Sequence, residues 1–78
     1  MASIILIIGE DTASMYTIEN DKRTIVVGCT IGDNEFRSCD YKGHMMTVDR
    51  SKIWVRIPND DSRAFCFKIN DIGTHTLQ

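Results

Sequence analysis

No paired cysteine spacing, no glycine-rich loop and no long apolar run occurs in these 78 residues, and each absence removes a class of function. The cysteines, Cys29, Cys39 and Cys66, are odd in number and form no C-x-x-C knuckle of the kind that seats a structural zinc. The isolated glycines give neither G-x-G-x-x-G nor a P-loop, so no phosphate cradle is expected. The longest apolar run, Ile4 to Ile8, has five residues and no Lys or Arg before it. That is too short to cross a bilayer or to serve as a signal-peptide core. These absences predict a cytoplasmic, reducing setting with no membrane contact. Proline occurs once, and the two windows that could support a helical turn or two, Gly9 to Ser14 and Gly32 to Ser38, carry no apolar residues at i, i+3, i+4 and i+7, so a helix is hard to place.

What remains is ordinary in bulk. The chain is 42% hydrophobic and 26% charged with a net charge of -2, which suits one soluble β-rich domain over residues 1–78 and argues against a generally cationic nucleic-acid binder. A chain this short leaves no room for a deep substrate cavity.

The strongest pattern lies between Lys52 and Ile69. Ile53, Val55 and Ile57 alternate on one side of a strand, and Phe65, Phe67 and Ile69 repeat the alternation after a turn-forming cluster. A three-residue loop, Asn59 to Asp61 or Asp60 to Ser62, would put both trios on one face and turn Trp54, Arg56, Cys66 and Lys68 to the other.

Ser3 to Ile8 reads as a central strand covered on both faces, because its aliphatic residues do not alternate with polar ones. Ala13 to Ile18 places Tyr16 and Ile18 on one side and Met15 and Thr17 on the other. A four-residue turn, Asn20 to Arg23, would set Ile18 opposite Ile25 and Tyr16 opposite Val27 in the next strand, Thr24 to Ile31, where Gly28 marks a bulge or a close backbone approach. Gly32-Asp33-Asn34-Glu35 is a turn, and Phe36 to Tyr41 and His44 to Val48 flank a two-residue Lys42-Gly43 turn near type I′. The tail from Asn70 is either a short edge strand or frayed. The fold class is therefore all-β, a small antiparallel barrel or sandwich of about six to seven short strands.

Chemistry-bearing residues are few. Cys39 and His44 would be diagonal neighbours across the Lys42-Gly43 hairpin, but Cys29 and Cys66 fit strand rows as small residues that tolerate burial. The carboxylate pairs sit in turns, where adjacency without burial does not prepare an acid or base. We therefore expect no catalytic residue, no metal and no cofactor.

Charge is distributed unevenly. Residues 1–35 carry two basic and six acidic side chains, whereas residues 36–58 carry five basic and two acidic ones. The favoured function is a non-enzymatic protein-interaction module, in its sharper form an inhibitor that occludes an intracellular enzyme or complex. Trp54 and Arg56 would anchor it, with Glu10, Asp11, Glu19, Asp21, Asp33 and Glu35 meeting a basic partner such as a nucleic-acid-binding protein. Two alternatives stand beside it. One is a single-stranded nucleic-acid-binding barrel that uses Arg37, Tyr41, Lys42, Arg50 and Lys52. The other is a self-associating subunit, a homodimer in the simplest case.

Overall fold

The computed structural model describes residues 3–32, 35–58 and 60–78, apart from the side chain of residue 61. These residues form eight strands and no helix, so no helix among them could cross a membrane. In chain order they are β1 (Ser3–Ile8), β2 (Thr12–Glu19), β3 (Lys22–Thr30), β4 (Phe36–Tyr41), β5 (His44–Asp49), β6 (Lys52–Ile57), β7 (Asp60–Lys68) and β8 (Gly73–Thr76).

The strands pair antiparallel in two four-stranded sheets, ordered β3-β2-β1-β8 (sheet A) and β4-β5-β6-β7 (sheet B). The all-β expectation holds. The count is eight because the tail pairs with β1, and among the described residues neither sheet closes into a barrel. Ile4, Leu6, Ile8 and Met15 from sheet A meet Met46, Val48, Ile53, Val55 and Ile57 from sheet B in one core, with Leu77 beside them.

The turns set the registers. Lys42 and Gly43 both take positive φ, 48° and 82°, as a type I′ turn requires, and the pairs Tyr41↔His44 and Cys39↔Met46 follow as the sequence predicts. Gly43 is doubly constrained, since a Cβ there would also lie 3.1 Å from Pro58.

At the β2–β3 turn the expected four-residue loop is wrong. Asn20 and Asp21 alone form the turn, at φ 53° and 61°, because both side-chain types tolerate the left-handed region. Ile18 therefore faces Arg23 and Tyr16 faces Ile25. A bulge at Val26 then restores the inward row, Met15↔Val27 and Ala13↔Cys29. Gly28 is regularly paired with Ser14 and is not the bulge. Met15 is fully buried, whereas Tyr16 and Ile18 lie half-covered on the outside.

In the β6–β7 hairpin odd positions face odd positions, Ile53↔Phe67 and Val55↔Phe65, as expected. The expected three-residue loop is replaced by a closer return, since Ile57 pairs with Asp60 and three extra residues of β7 form an irregularity before Phe65. Asn59, which belonged to that loop, lies outside the described residues, as do Asp33 and Asn34 of the middle turn.

A disulfide joins Cys29 of β3 to Cys39 of β4, with the two Cα atoms 6.3 Å apart. It ties an edge strand of one sheet to an edge strand of the other. Closing a loop this short contributes about 3 kcal/mol of stability on the chain-entropy account. The expectation of a reducing interior rested in part on cysteines with no paired spacing, and the Cys29–Cys39 pairing removes that part of its premise.

Candidate functional site

Strand alternation gives each sheet one face on the core and one face outward, and the two outward faces differ in chemistry. On sheet B the cross-strand pairs fix three rows. Phe36, Asp49, Lys52 and Lys68 form one row, Ser38, Thr47, Trp54 and Cys66 the next, and Asp40, Met45 and Arg56 the third. Trp54 and Arg56 therefore stand on the outward face of an inner strand, as expected, while Ile53, Val55 and Ile57 point into the core at 0–1% exposure. Trp54 is 42% exposed and shares its face with Phe36 at 68% and Met45 at 42%. These neighbours come from β4 and β5, and the sequence could not assign them to the face before the registers were known.

The outward face of sheet A has an aliphatic centre, with Ser3, Ser14, Gly28, Thr74 and Thr76 in the same and adjoining rows. Ile5 pairs with Tyr16, which pairs with Ile25, and Ile7 and Ile18 flank that row. Arg23, stacked over the Tyr16 ring at 5.5 Å, supplies a charge at its margin. Ile25 is 57% exposed, while Ile5 is buried to 6% by its own sheet and stands apart from the shared core. The uninterrupted run Ile4 to Ile8 signalled a strand apolar on both faces. One face is covered by sheet B, and among the described residues no further layer covers the other. The sequence reading did not nominate this face.

The acidic residues border sheet A at its two ends. Glu10 and Asp11 lie in the β1–β2 turn, Asp21 lies in the β2–β3 turn, and Glu19 flanks that turn together with Lys22 and Arg23. Glu35 sits before β4 and is bonded to Arg37. The five described acidic residues therefore do not form one patch, and Asp33 lies outside the described residues. Glu10, Asp11, Glu19 and Asp21 are all exposed and take part in no ion pair among the described residues.

The basic set is also dispersed. Tyr41 and Lys42, whose ammonium lies 5.2 Å from the Tyr41 ring, occupy the β4–β5 turn at one end of sheet B. Arg50 and Lys52 lie at the β5–β6 turn at the other end. Arg37 shares the parity of Val48, which is inward, and is held by Glu35. Lys52 alone of the five shares a strand face with Trp54.

Disulfide bonding withdraws Cys39 as a thiolate, either for catalysis with His44 or as a metal ligand. Cys66 is free and exposed, opposite Trp54. His75 packs on Phe67, with ring centroids 4.8 Å apart, and its Nε2 lies 2.9 Å from the Asp71 carbonyl. His44 Nδ1 is buried without a hydrogen-bond partner among the described residues. No three Cys, His, Asp or Glu side chains among them converge on a metal-sized space. Two surface clefts are open and shallow. One, of about 450 Å³, is lined by Thr17, Glu19, Asn20, Lys22 and Thr24, and the other, of about 310 Å³, by Ser51, Lys52, Lys68, Ile69 and Asn70. No family model, curated protein or solved structure matches this chain.

Proposed function

We propose that the protein is a non-enzymatic docking module whose aliphatic face on sheet A seats a partner protein. One observation carries this reading: Ile5, Ile7, Tyr16, Ile18 and Ile25 form an outward apolar surface that no second layer covers among the described residues. An apolar centre with a polar rim is the common anatomy of protein interfaces. Here the rim is acidic at Glu10 and Asp11, which favours a partner whose apolar patch is bordered by Lys or Arg, as on a nucleic-acid-binding enzyme or complex. In its sharper form the module acts by occluding that partner's site. A small sandwich of two open sheets suits such a role, because it presents broad faces and no deep pocket.

The test is capture of a partner from native lysate by tagged protein, with and without nuclease, beside the Ile25→Asp variant. Ile25 is exposed on an edge strand, so the variant should fold and give an unchanged far-UV spectrum. The expected result is a stoichiometric protein that survives nuclease and falls at least about tenfold with Ile25→Asp. Equal capture by the variant would refute the sheet A face. Binding that disappears with nuclease would transfer the function to the basic set and to single-stranded nucleic acid.

A further inference from the structure

The outward face of sheet B carries its charges in an ordered way. Going across the strands, the acidic side chains Asp40 and Asp49 come from β4 and β5, and the basic side chains Lys52, Arg56 and Lys68 come from β6 and β7. The aromatic and thioether side chains, Phe36, Met45 and Trp54, lie among them. An acidic half next to a basic half is the pattern that a surface needs in order to bind itself.

We propose that this face is a homodimer interface, with a second copy of the chain packed face to face about a two-fold axis that runs along the strands between β5 and β6. This is a different face from the one assigned to the partner protein, and the proposal does not depend on that assignment. A two-fold axis in the plane of the sheet maps each position onto its mirror across the axis. Asp49 then lies over Lys52 of the second copy, Thr47 over its Trp54, Met45 over its Arg56, and Phe36 over its Lys68. Each of these contacts occurs twice. The first is an ion pair, and the last places a cation on an aromatic ring.

The other in-plane axis, perpendicular to the strands, is disfavoured by charge. It would set Lys52 of one copy over Arg56 of the other, twice, and like charges facing across an interface oppose association. Charge complementarity therefore selects the axis as well as the partner. With the strands of the two copies running along one another, the packing is the aligned kind that twisted sheets adopt.

Size sets the strength. Four strands at about 4.8 Å spacing and six residues at about 3.3 Å each span about 400 Å² on each copy. The total, about 800 Å², falls below the roughly 1,200 Å² typical of stable complexes, so the dimer should be weak, with a dissociation constant on the order of 0.1 mM.

The test is sedimentation equilibrium of the full chain from about 20 µM to about 1 mM. Wild type should move from monomer towards dimer over that range. Asp49→Lys and Lys52→Asp should each weaken association at least about tenfold, because each places like charges over one another twice. An equimolar mixture of the two variants should associate again, since Lys at 49 then meets Asp at 52. The double variant carrying both changes should dimerise like wild type. Far-UV spectra keep a folding defect distinct from a loss of association. Wild type that stays monomeric at about 1 mM would overturn the proposal, as would a mixture no more associated than its components. Partner capture by Asp49→Lys is read in parallel. If it is intact while wild type is monomeric, only the dimer fails. If wild type dimerises while Ile25→Asp captures as wild type does, only the sheet A assignment fails.

Discussion

The two outward faces come from the same rule of alternation and arrive at different chemistry. On sheet A, β1 is aliphatic at every position from Ile4 to Ile8, so turning half of these residues to the core leaves Ile5 and Ile7 on the outside. On sheet B, β6 alternates strictly, and the outside receives Lys52, Trp54 and Arg56. The first surface is apolar at its centre, and only its charged margin selects among apolar partners. The second has charges of both signs in a fixed order, and that order restricts what can lie on it. Alternation sorts residues between inside and outside, but only the composition of the outward set decides whether a face is inert, sticky or selective.

Substitutions that pair a covered position with an exposed one sharpen this contrast. The largest effect is expected inside. Leu6→Ala, at a fully buried site of β1, should cost about 3 kcal/mol in urea denaturation, and a comparable loss should follow Val55→Ala only in part, since fewer methyl groups are removed. Removing the link between the sheets, by Cys29→Ala together with Cys39→Ala, should cost about 2 to 3 kcal/mol, read as the same midpoint shift that a reducing agent produces in wild type. If reduction leaves the melting curve unchanged, the inter-sheet tie is not formed in solution.

Next comes a pair of outward residues. Ile5→Ala should cost about 2 kcal/mol because neighbours on its own face already bury it, whereas Trp54→Ala, 42% exposed, should change stability by less than about 1 kcal/mol. Equal losses at the two positions would erase the distinction between a self-covered face and an open one. The smallest effect should be a gain. Lys42 holds φ 48° in a type I′ turn, so Lys42→Asn should stabilise by about 0.5 kcal/mol, since asparagine accepts that conformation more readily. Thermal melts of the two proteins would show it.

Short-range features were legible in the sequence. The Lys42-Gly43 turn fixed Cys39 opposite Met46, and the parity of Ile53 and Phe67 followed from where their apolar neighbours fell. Errors arose where one residue changes the parity of a strand. Treating Asn20 to Arg23 as a four-residue loop overlooked how readily Asn20 and Asp21 share positive φ, and the bulge at Val26 then hid which side of β2 was inward. Met15 is the core residue as a result, and Tyr16 is the outward one.

Long-range pairings carried no local mark. Cys29 and Cys39 are ten positions apart, on strands of different sheets, so no motif spacing joined them. For the sites, Trp54 and Arg56 were visible as a break in an apolar alternation. The aliphatic face on sheet A had a visible signal too, a strand apolar on both sides. What the sequence withheld was that only one of those sides would find a cover.

The claim that the two faces do separate work is most directly tested by a backbone amide NMR dilution series of the wild-type chain between about 1 mM and about 20 µM. Concentration-dependent shifts confined to Thr47, Asp49, Lys52, Trp54 and their row neighbours, with Ile5, Tyr16 and Ile25 unmoved, are the predicted result. Shifts on Ile5, Tyr16 and Ile25 with sheet B unmoved, or no shifts at all, would contradict it.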